Sequence, residues 1–328
     1  MINIIHLGLG PLGQKVVRFA IERGCFNIVA AVDPDPAKIG RDLGELCGLK
    51  PLGIMVSPNV SKILKGDAQV AVVTTVSSLT KFIPQAAELA ELNLHIVSTC
   101  EELAFPWRTQ PTAAKEIDSI CRKRGVACVG TGVNPGFLME YLPSVLTGVC
   151  QRVESIHVWR VQDASVRRVP FQQKIGAGLT LDEFRKKQKE GTLRHVGLPE
   201  SVDFIAAKMG WKLDHNEESL EPVMAEADVC TGYKPILKGM TRGVYQVGRG
   251  FVGGKEVITL QFRAAVGESQ SYDRILINGD LVVDSTITGG VNGDIATCAI
   301  TLNAVRSITL ASPGLKTMCE IPTVTYFC

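Results

Sequence analysis

The amino-terminal part of the chain alternates between short β-branched runs and segments of helical length. Strands that alternate with helices at this spacing predict βαβ units and a parallel sheet. The apolar runs are nearly uninterrupted, which is typical of strands covered on both faces. The predicted strands are residues 2–7, 28–32, 70–75, 95–99 and 126–130, and the predicted helices are residues 12–23, 79–92 and 112–124.

The first predicted strand leads into Gly8-Leu9-Gly10-Pro11-Leu12-Gly13, which has G-x-G-x-x-G spacing and opens a predicted helix. Gly8 makes a tight turn, Gly10 lets a pyrophosphate approach the backbone, and Gly13 lets the helix and strand pack closely. Phosphates then lie at a helix N-terminus, where N–H groups and the helix dipole favour negative charge. Pro11 suits the first helical turn. The pattern predicts a dinucleotide-binding domain, and the expected cofactor contacts are Gly8, Gly10, Pro11, Leu12 and Gly13.

An acidic residue, Asp33, ends the second predicted strand twenty residues after Gly13. An acid at this point usually accepts both ribose hydroxyls of NAD. Lys38 and Arg41 lie just beyond it and could pair with the 2′-phosphate of NADP. The alternative for Asp33 is an ordinary loop aspartate. We therefore predict that the protein uses both NAD and NADP, with NAD preferred.

Polar residues also follow the later strands of the predicted sheet. Ligands of open α/β sheets bind at the carboxyl ends of the strands, so residues at these ends are expected to face the cofactor and substrate. The candidates for cofactor contact are Thr74, Thr75, Thr99, Cys100 and Asn134, and the candidates for substrate contact are Thr131 and Val133.

Glu101 and Glu102 follow the fourth predicted strand. Neighbouring side chains diverge in an extended chain, so we expect the two carboxylates to have different roles. One could face the nicotinamide and transfer a proton or hold a cationic substrate, and burial would raise its pKa toward the range of a general base. The alternative for either residue is an acid that complements a helix dipole. Cys100 as a nucleophile is a weaker alternative, because no histidine base is evident in its segment.

Composition and charge exclude several other classes of protein. The chain has 328 residues, a net charge of +2 and 6% aromatic residues, so two domains and no nucleic-acid or membrane partner are expected. Ten cysteines occur singly, without a C-x-x-C pair, which argues against disulfides and a metal site. Neither a signal peptide nor an apolar run of ~20 residues is present. These features predict a cytoplasmic protein whose cysteines are mostly small buried hydrophobes.

The alternation ends at Thr131-Gly132-Val133-Asn134-Pro135-Gly136, where two glycines and a proline interrupt it. We place a domain junction there, so that residues 1–135 form the dinucleotide-binding domain and residues 136–293 form a second domain. Residues 294–328, which include most of the last predicted helix, are expected to pack back on the first domain.

The second domain is predicted to be α+β, with a mixed or antiparallel sheet. Helices are expected at residues 137–147 and 181–190, and strands at residues 153–161, 243–247, 257–265, 274–277 and 281–286. Asn278-Gly279-Asp280 separates the last two strands and is typical of a hairpin turn. The predicted fold class is therefore a Rossmann-type doubly wound α/β domain joined to an α+β domain.

Several segments resemble the 2,4-diaminopentanoate dehydrogenases and the related native amine dehydrogenases. In the first domain they are Gly8–Gly13, Ser98-Thr99-Cys100-Glu101-Glu102-Leu103 and Gly130–Gly136. In the second domain they are Asp163–Gln172 with Lys174–Gly178, and Arg194-His195-Val196-Gly197-Leu198-Pro199-Glu200-Ser201. The resemblance runs over most of the chain in matching order and is weakest at residues 317–328. That group shares the dihydrodipicolinate-reductase-like architecture.

This resemblance implies reversible oxidative deamination. A primary amine gives hydride to NAD(P)+, and water converts the resulting imine into a ketone or aldehyde and ammonia. It implies a glutamate at the fourth strand end as the acid/base group, assigned first to Glu101 and second to Glu102. It also implies a homodimer whose interface includes the second-domain sheets. A carboxylate near C4 of the nicotinamide would stabilise an iminium and orient the attacking water.

Residues after the junction complete the predicted site. Phe137, Leu138 and Met139 are expected to form an apolar wall of the substrate pocket. Asn292, just before the late helix, is expected to reach the nicotinamide amide. The further candidates for substrate contact are Arg168, Phe171, Gln172 and His195, of which His195 could instead hold a loop.

Two other functions remain open from the sequence. The first is a dihydrodipicolinate-type reductase, or another oxidoreductase acting on an imine or a hydroxy acid; the His-His-rich signature of the reductase is missing, but Arg167 and Arg168 could bind a carboxylate. The second is a regulator that binds NAD(P) without chemistry. The acid at the fourth strand end and the long patterned second domain argue against a regulator.

Overall fold

The computed structural model describes residues 1–193, 196–230 and 233–328. The chain divides into two compact units, Met1–Phe137 with Gly293–Cys328, and Leu138–Asn292. Across the described ranges, no helix is long and apolar enough to cross a membrane.

Strands and helices alternate in the first unit, and strands dominate the second. The strands are β1 (Ile2–Leu7), β2 (Phe26–Val32), β3 (Val56–Ser57), β4 (Val70–Val73), β5 (His95–Ser98), β6 (Ala127–Gly130), β7 (Val153–Asp163), β8 (His215–Met224), β9 (Thr241–Val252), β10 (Lys255–Ala265), β11 (Tyr272–Gly279), β12 (Val283–Thr288) and β13 (Gly314–Lys316). The helices are α1 (Pro11–Arg23), α2 (Leu43–Leu46), α3 (Leu79–Glu91), α4 (Pro111–Arg124), α5 (Leu142–Leu146), α6 (Val169–Lys174), α7 (Leu181–Lys189), α8 (Leu198–Met209) and α9 (Gly293–Ile308). Short 3-10 turns span Glu101–Leu103 and Thr147–Val149, and a π-helical turn spans Phe137–Tyr141.

The first unit is built on a parallel sheet with the strand order β3-β2-β1-β4-β5-β6-β13. The chain runs outward from β1 to β3, returns to β4 beside β1, and then runs outward on the other side. The order therefore reverses between β1 and β4, and ligands of such sheets bind at the carboxyl ends of the strands near this reversal.

Helices cover both faces of this sheet. All four residues of β4 are fully buried, which requires cover on each side. On one side, Ile5 and Leu7 of β1 lie in the same apolar core as Phe82 of α3 and Ile117 of α4. In addition, α1 packs with α9, which also contacts β4 and β5. The predicted doubly wound fold is confirmed.

The second unit is built on a mixed sheet with the strand order β12-β11-β7-β10-β9-β8. Strands β7 and β10 are parallel, and the other neighbouring pairs are antiparallel. One face is covered by α8, since a Cβ placed on Gly248 or Gly250 of β9 would touch Leu198 or Val202 of that helix. The predicted α+β architecture is confirmed.

One expectation about the cysteines is wrong. Cys25, just before β2, forms a disulfide with Cys328, and their Cα atoms are 5.4 Å apart. Phe327 packs edge-on against Phe26 with ring centroids 5.5 Å apart, which brings the two cysteines together. A separation of 303 residues leaves no local sequence signal for this pair. Most of the other cysteines are buried thiols.

Candidate active site

Backbone hydrogen bonds join the carboxyl ends of the parallel strands. Five residues that follow strands donate their N–H groups to carbonyls at the ends of neighbouring strands, with N···O distances of 2.8–3.0 Å; the donors are Gly8, Asp33, Thr74, Thr99 and Thr131. The residues predicted to face a ligand therefore lie side by side along one edge of the sheet.

The glycine-rich turn leaves no space for side chains at two of its positions. Gly8 has a φ of +91°, a conformation that side chains disfavour. A Cβ on Gly13 would overlap the carbonyl oxygen of Gly8 and lie 2.6 Å from Oγ1 of Thr74. By contrast, a Cβ on Gly10 would meet no atom within 4 Å. The turn is thus compact at its base and open above Gly10.

The open position above Gly10 coincides with the N-terminus of α1. Gly10 is the N-cap residue, and no side chain caps the helix. The first N–H groups of a helix have no intrahelical partner, and the helix dipole makes this end positive. This arrangement fits the pyrophosphate of a dinucleotide, which would approach the exposed Pro11 and half-buried Leu12.

A buried histidine, His6 of β1, contacts the backbone of the glycine-rich turn. Its Nε2 lies 3.0 Å from the Gly8 carbonyl oxygen, to which Oγ1 of Thr74 also donates over 2.8 Å. Burial lowers the pKa of His6 to about 4, although the hydrogen bond to Gly8 and the charge of Asp33 act in the opposite direction. His6 is therefore neutral near pH 7 and helps to fix the Gly8 carbonyl.

Asp33 lies where β2 ends, beside the turn. Its Oδ2 accepts the N–H of Leu9 over 2.7 Å and forms an ion pair with Nζ of Lys38 at 3.0 Å. Burial opposes ionisation, but hydrogen bonds from Asp35 and Leu9 and the charge of Lys38 together lower the pKa of the Asp33 carboxyl. Lys38 thus lies beside the predicted ribose site, whereas Arg41 is exposed.

Glu102 contributes to the local structure of the first unit. Its Oε2 accepts the N–H of Leu79, the first residue of α3, and the side-chain amide of Gln110, each over 2.8 Å. Its own N–H donates to the Ser77 carbonyl over 3.3 Å. Glu102 therefore caps α3, although 23 residues separate it from Leu79. This is the alternative role expected for either glutamate, an acid at a helix N-terminus.

Glu101 shares the 3-10 turn Glu101–Leu103 with Glu102 and is half-buried. The turn packs tightly on β6, because a Cβ on Gly130 would lie 2.7 Å from the carbonyl carbon of Leu103. The neighbouring β5 and β6 thus fix the backbone of Glu101 at the carboxyl edge of the sheet.

Cys100 is not suited to act as a nucleophile. It is fully buried, and this burial raises the pKa of its thiol to about 12. A nucleophilic cysteine requires a thiolate, which such a pKa disfavours. Thr99, the residue before it, is half-buried and lies at the edge itself.

Two polar atoms near the end of β6 are buried without a hydrogen-bond partner among the described residues. They are Oγ1 of Thr131 and Nδ2 of Asn134. Such atoms are costly to bury unpaired, so they are natural partners for a bound molecule. The neighbouring Val133 is buried, and its N–H donates to Oγ1 of Thr297 in α9 over 3.2 Å.

Thr75, the other candidate after β4, has different hydrogen-bond partners from Thr74. Oγ1 of Thr75 donates to Oε1 of Gln85 in α3 over 2.6 Å, and the residue is exposed. Thr74 supports the turn, whereas Thr75 is bonded toward α3.

The candidates beyond the junction differ widely in exposure. Leu138 and Met139 are fully buried, Phe137 and Phe171 are half-buried, and Arg168 and Asn292 are exposed. Gln172 is buried and donates to the carbonyl oxygens of Ser165 and Arg167 over 3.3 and 2.9 Å, so it holds that turn. His195 lies outside the described residues.

Sequence reasoning missed a buried ion pair in the second unit. Arg160 and Asp273 are cross-strand partners on β7 and β11, their N···O distance is 2.8 Å, and they are 2% and 3% exposed. The only available signals were a charged residue within the predicted strand 153–161 and another just before the predicted strand 274–277. Such signals cannot identify the partner without the strand register.

The strand reversal, the glycine-rich turn, the uncapped helix and the acid at the end of β2 together define a dehydrogenase that uses a nicotinamide dinucleotide. No group of three or more His, Cys, Asp or Glu side chains in the described parts of the chain could hold a metal ion.

The chain belongs to the 2,4-diaminopentanoate dehydrogenase family. The family's C-terminal domain profile matches residues 137–327, and the N-terminal profile of dihydrodipicolinate reductase matches residues 2–100. The chain is 31% identical to 2,4-diaminopentanoate dehydrogenase of Acetoanaerobium sticklandii, across 98% of this chain and 93% of the relative. It is 21% identical to an amine dehydrogenase of Streptomyces virginiae, across 98% of this chain and 96% of the relative. The family predicted from the sequence is confirmed.

Solved structures agree with this fold. An amine dehydrogenase from Mycobacterium smegmatis superposes with a TM-score of 0.87 at 22% identity, covering 99% of this chain and 97% of that one. A dihydrodipicolinate reductase from Paenisporosarcina superposes with a TM-score of 0.55 at 13% identity, covering 97% and 98%. Both likenesses concern the fold alone.

Proposed function

We propose that the protein is an amine dehydrogenase that catalyses reversible oxidative deamination of a primary amine with NAD or NADP. In reverse, it would reductively aminate a ketone or aldehyde with ammonia. The observation that carries the proposal is the division of roles between the paired glutamates. Glu102 caps α3, whereas the neighbouring backbone of β6 fixes Glu101 at the carboxyl edge of the sheet.

Glu101 is the proposed acid/base group. The amine carbon would lose its hydride to the nicotinamide, the acceptor that a bound cofactor would supply. The Glu101 carboxylate holds the substrate ammonium and takes one of its protons, which passes on to solvent, because only the neutral amine can lose a hydride. The negative charge of the carboxylate then stabilises the iminium that hydride loss leaves. The carboxylate next takes a proton from water as the oxygen attacks the iminium carbon, and it returns this proton to the nitrogen of the carbinolamine that forms. The C–N bond breaks as the hydroxyl proton passes to solvent, which gives the carbonyl compound and ammonia. Each turnover oxidises one amine by two electrons, which leave with the hydride.

Thr131 and Asn134 are proposed to bind groups next to this reaction centre. Their buried Oγ1 and Nδ2 atoms, without partners in the described residues, favour a polar ligand at the end of β6. A nicotinamide carboxamide or the reacting nitrogen would supply complementary donors and acceptors. The remaining candidates, Val133, Phe137, Leu138, Met139, Arg168, Phe171, Gln172 and His195 for substrate and Asn292 for cofactor, stay predictions.

Both cofactors are proposed to bind, with NAD preferred. Asp33 carries a lowered pKa and would accept the ribose hydroxyls of NAD as a carboxylate. Lys38 already pairs with Asp33 and Asp35 at 3.0 and 3.3 Å, and it could turn to the 2′-phosphate of NADP. The nearby carboxylate would repel that phosphate, which supports the preference for NAD.

A homodimer is proposed through the sheet face of the second unit opposite α8. On β7 of this face, His157 and Trp159 stack with ring centroids 3.7 Å apart, and the guanidinium of Arg274 lies 5.1 Å from the Trp159 ring centre. Half-buried aromatic and arginine side chains are enriched at protein interfaces.

The eight cysteines outside the disulfide would suit the reducing cytoplasm, which we propose as the location.

The two units are proposed to divide the labour. Residues 1–135 with 294–328 would bind the dinucleotide, and residues 136–293 would bind substrate and form the dimer. The glycine-rich turn supports the first assignment, and the half-buried aromatic and arginine side chains on the sheet face support the dimer role of the second.

The first experiment measures ammonia-dependent oxidation of NADH and NADPH with a panel of ketones, aldehydes and 2-amino-4-oxopentanoate. Wild-type protein and Glu101→Gln are compared, with Glu116→Gln, an exposed glutamate on α4, as the matched control. We expect Glu101→Gln to lower kcat about 100-fold or more, in the range of general acid–base catalysis, without changing NADH affinity. Unchanged turnover in this variant would refute the glutamate mechanism. Measurable NADH binding without turnover of any carbonyl would favour a regulator.

A further inference from the structure

Residues 323–328, which we call the C-terminal clasp, lie against the end of α1 in the first unit. The clasp ends at Cys328, whose disulfide partner Cys25 lies between α1 and β2. The guanidinium of Arg23, the last residue of α1, lies 5.1 Å from the ring centre of Tyr326. One covalent bond and one cation–π contact thus join the clasp to this end of the helix.

The clasp also binds the carboxyl end of α9. Arg306 of this helix donates through Nη2 to Oγ1 of Thr325 over 3.2 Å, and its guanidinium lies 4.8 Å from the ring centre of Phe327. Oγ of Ser307 donates to the Thr323 carbonyl over 3.2 Å. Since α1 and α9 pack on each other, the clasp holds a pair of helices at their carboxyl ends.

The same two helices contact the carboxyl edge of the sheet near their other ends. Gly10 is the N-cap of α1, where the cofactor pyrophosphate would lie. Near the start of α9, Oγ1 of Thr297 accepts the N–H of Val133 over 3.2 Å. The 13 residues of α1 span about 20 Å, and rigid elements of this kind transmit displacements from one end to the other. The clasp can therefore influence groups of the cofactor edge that it does not touch.

The disulfide of the clasp is open to chemical attack. Cys328 is exposed and Cys25 is half-buried, so an incoming thiolate reaches the Cys328 sulfur first. Its attack forms a mixed disulfide on Cys328 and releases Cys25 as a thiolate, which takes a proton from solvent. When the reductant is a dithiol, its second thiolate attacks its own sulfur in the mixed disulfide. Cys328 then leaves as a thiolate and is protonated, the dithiol becomes a disulfide, and two electrons have passed to the protein.

We propose that Cys25–Cys328 is a site of thiol–disulfide exchange with a dithiol reductant, and that its redox state sets the affinity of the first unit for the dinucleotide. Reduction leaves residues 323–328 held only by single non-covalent contacts. The carboxyl ends of α1 and α9 are then less firmly fixed, and a dinucleotide that binds must order them. This inference uses the dinucleotide site and not the amine substrate, so it stands even if the proposed reaction fails.

The first test compares air-oxidised protein with protein reduced by dithiothreitol. Peptide mapping by mass spectrometry should find the Cys25–Cys328 cross-link in the oxidised form, which leaves eight thiols, and all ten thiols in the reduced form. We expect reduction to raise the Kd for NADH, measured by its fluorescence, about fivefold or more, in the range of allosteric coupling. Absence of the cross-link in oxidised protein, or an equal Kd in the two forms, would overturn the proposal.

Cysteine variants separate the clasp from other effects of the reductant. Cys328→Ser and Cys25→Ser should each bind NADH as weakly as the reduced wild-type protein, and dithiothreitol should not weaken this binding further. The control Cys230→Ser removes an exposed thiol outside the disulfide and should keep the full response to reduction. A response to dithiothreitol that survives in Cys328→Ser would show that another group carries the effect.

A glutathione redox buffer tests the coupling in the opposite direction. The protein is equilibrated with mixtures of reduced and oxidised glutathione, with and without saturating NADH, and the Cys25–Cys328 cross-link is quantified. By linkage, NADH should raise the equilibrium constant for disulfide formation by the same factor by which the disulfide lowers the Kd for NADH. A disulfide that only stabilises the fold would leave this constant unchanged by NADH, and that result would contradict the proposal.

Discussion

The backbone N–H of Leu9 in the glycine-rich turn donates to the Asp33 carboxylate at the end of β2, over 2.7 Å. The carboxylate thus holds the turn and also lies where the cofactor ribose is expected.

Asp33→Asn should raise KM for NAD about tenfold or more, because charge-assisted hydrogen bonds are lost. KM for NADP should rise less, since the change also removes the repulsion of the 2′-phosphate. Steady-state kinetics with both cofactors measures this; Asp35→Asn, which removes only the second partner of Lys38, is the control. Equal changes for the two cofactors would contradict the role at the ribose.

Glu102 should matter more for stability than for turnover. Glu102→Ala removes the acceptor of the Leu79 N–H and of the Gln110 amide. We expect the free energy of unfolding to fall by about 1–2 kcal/mol, the usual effect of a lost helix cap. Urea unfolding of this variant beside Glu101→Gln measures the difference. Unchanged stability together with a collapse of kcat would reverse the roles assigned to the two glutamates.

Gly130→Ala tests how closely β6 positions the turn that carries Glu101, the proposed acid/base group. The added Cβ would lie 2.7 Å from the carbonyl carbon of Leu103, so the Glu101–Leu103 turn must shift. A shift of this kind should lower kcat about tenfold or more, with little change in cofactor affinity. Gly148→Ala, where an added Cβ meets no atom within 4 Å, is the matched control. If kcat survives in Gly130→Ala, the position of Glu101 does not depend on this contact.

His6 should make the fold sensitive to mild acid. Its pKa is lowered to about 4 in the fold from an ordinary value of 6.5, so the unfolded chain binds more protons between these values. The free energy of unfolding therefore decreases as the pH falls below 6.5. His6 should account for about 2 kcal/mol of this decrease between about pH 7.5 and pH 5. Urea unfolding at both pH values measures it, and the pH-dependent loss should shrink by this amount in His6→Gln.

An exposed histidine provides the control for this experiment. His215→Gln should keep the wild-type pH dependence, because His215 lies on the surface. If His6→Gln loses as much stability in acid as the wild-type protein, another group is responsible.

The sequence predicts the part of the fold that depends on local patterns. Apolar strands, helical spacing and the glycine-rich turn are local features, and they led to the parallel sheet and its carboxyl edge. Strand β8 was missed because its residues, such as Glu217 and Glu218, are charged and belong to an edge strand. Helix α8 was missed because its start at Leu198 lies within a segment interpreted only by its resemblance.

Contacts between distant residues could not be predicted in the same way. The choice between Glu101 and Glu102 depends on Leu79, 23 residues before Glu102, which Glu102 caps. The Arg160–Asp273 pair depends on the register of β7 and β11. The position of Val291, whose N–H donates to Asp273, depends on that pair in turn. Such contacts exist only once the strands are aligned, so no local pattern specifies them.

The outermost strand of the first sheet, β13, pairs with β6 although the whole second unit lies between them in the chain. A ribosome that makes this protein therefore releases β1–β6 and then the complete second unit before α9 and β13 emerge. Until then, the edge of β6 exposes unpaired backbone groups, and such edges invite pairing with other chains. Nascent chains stalled before β13 should accordingly recruit chaperones, whereas chains stalled beyond it should not.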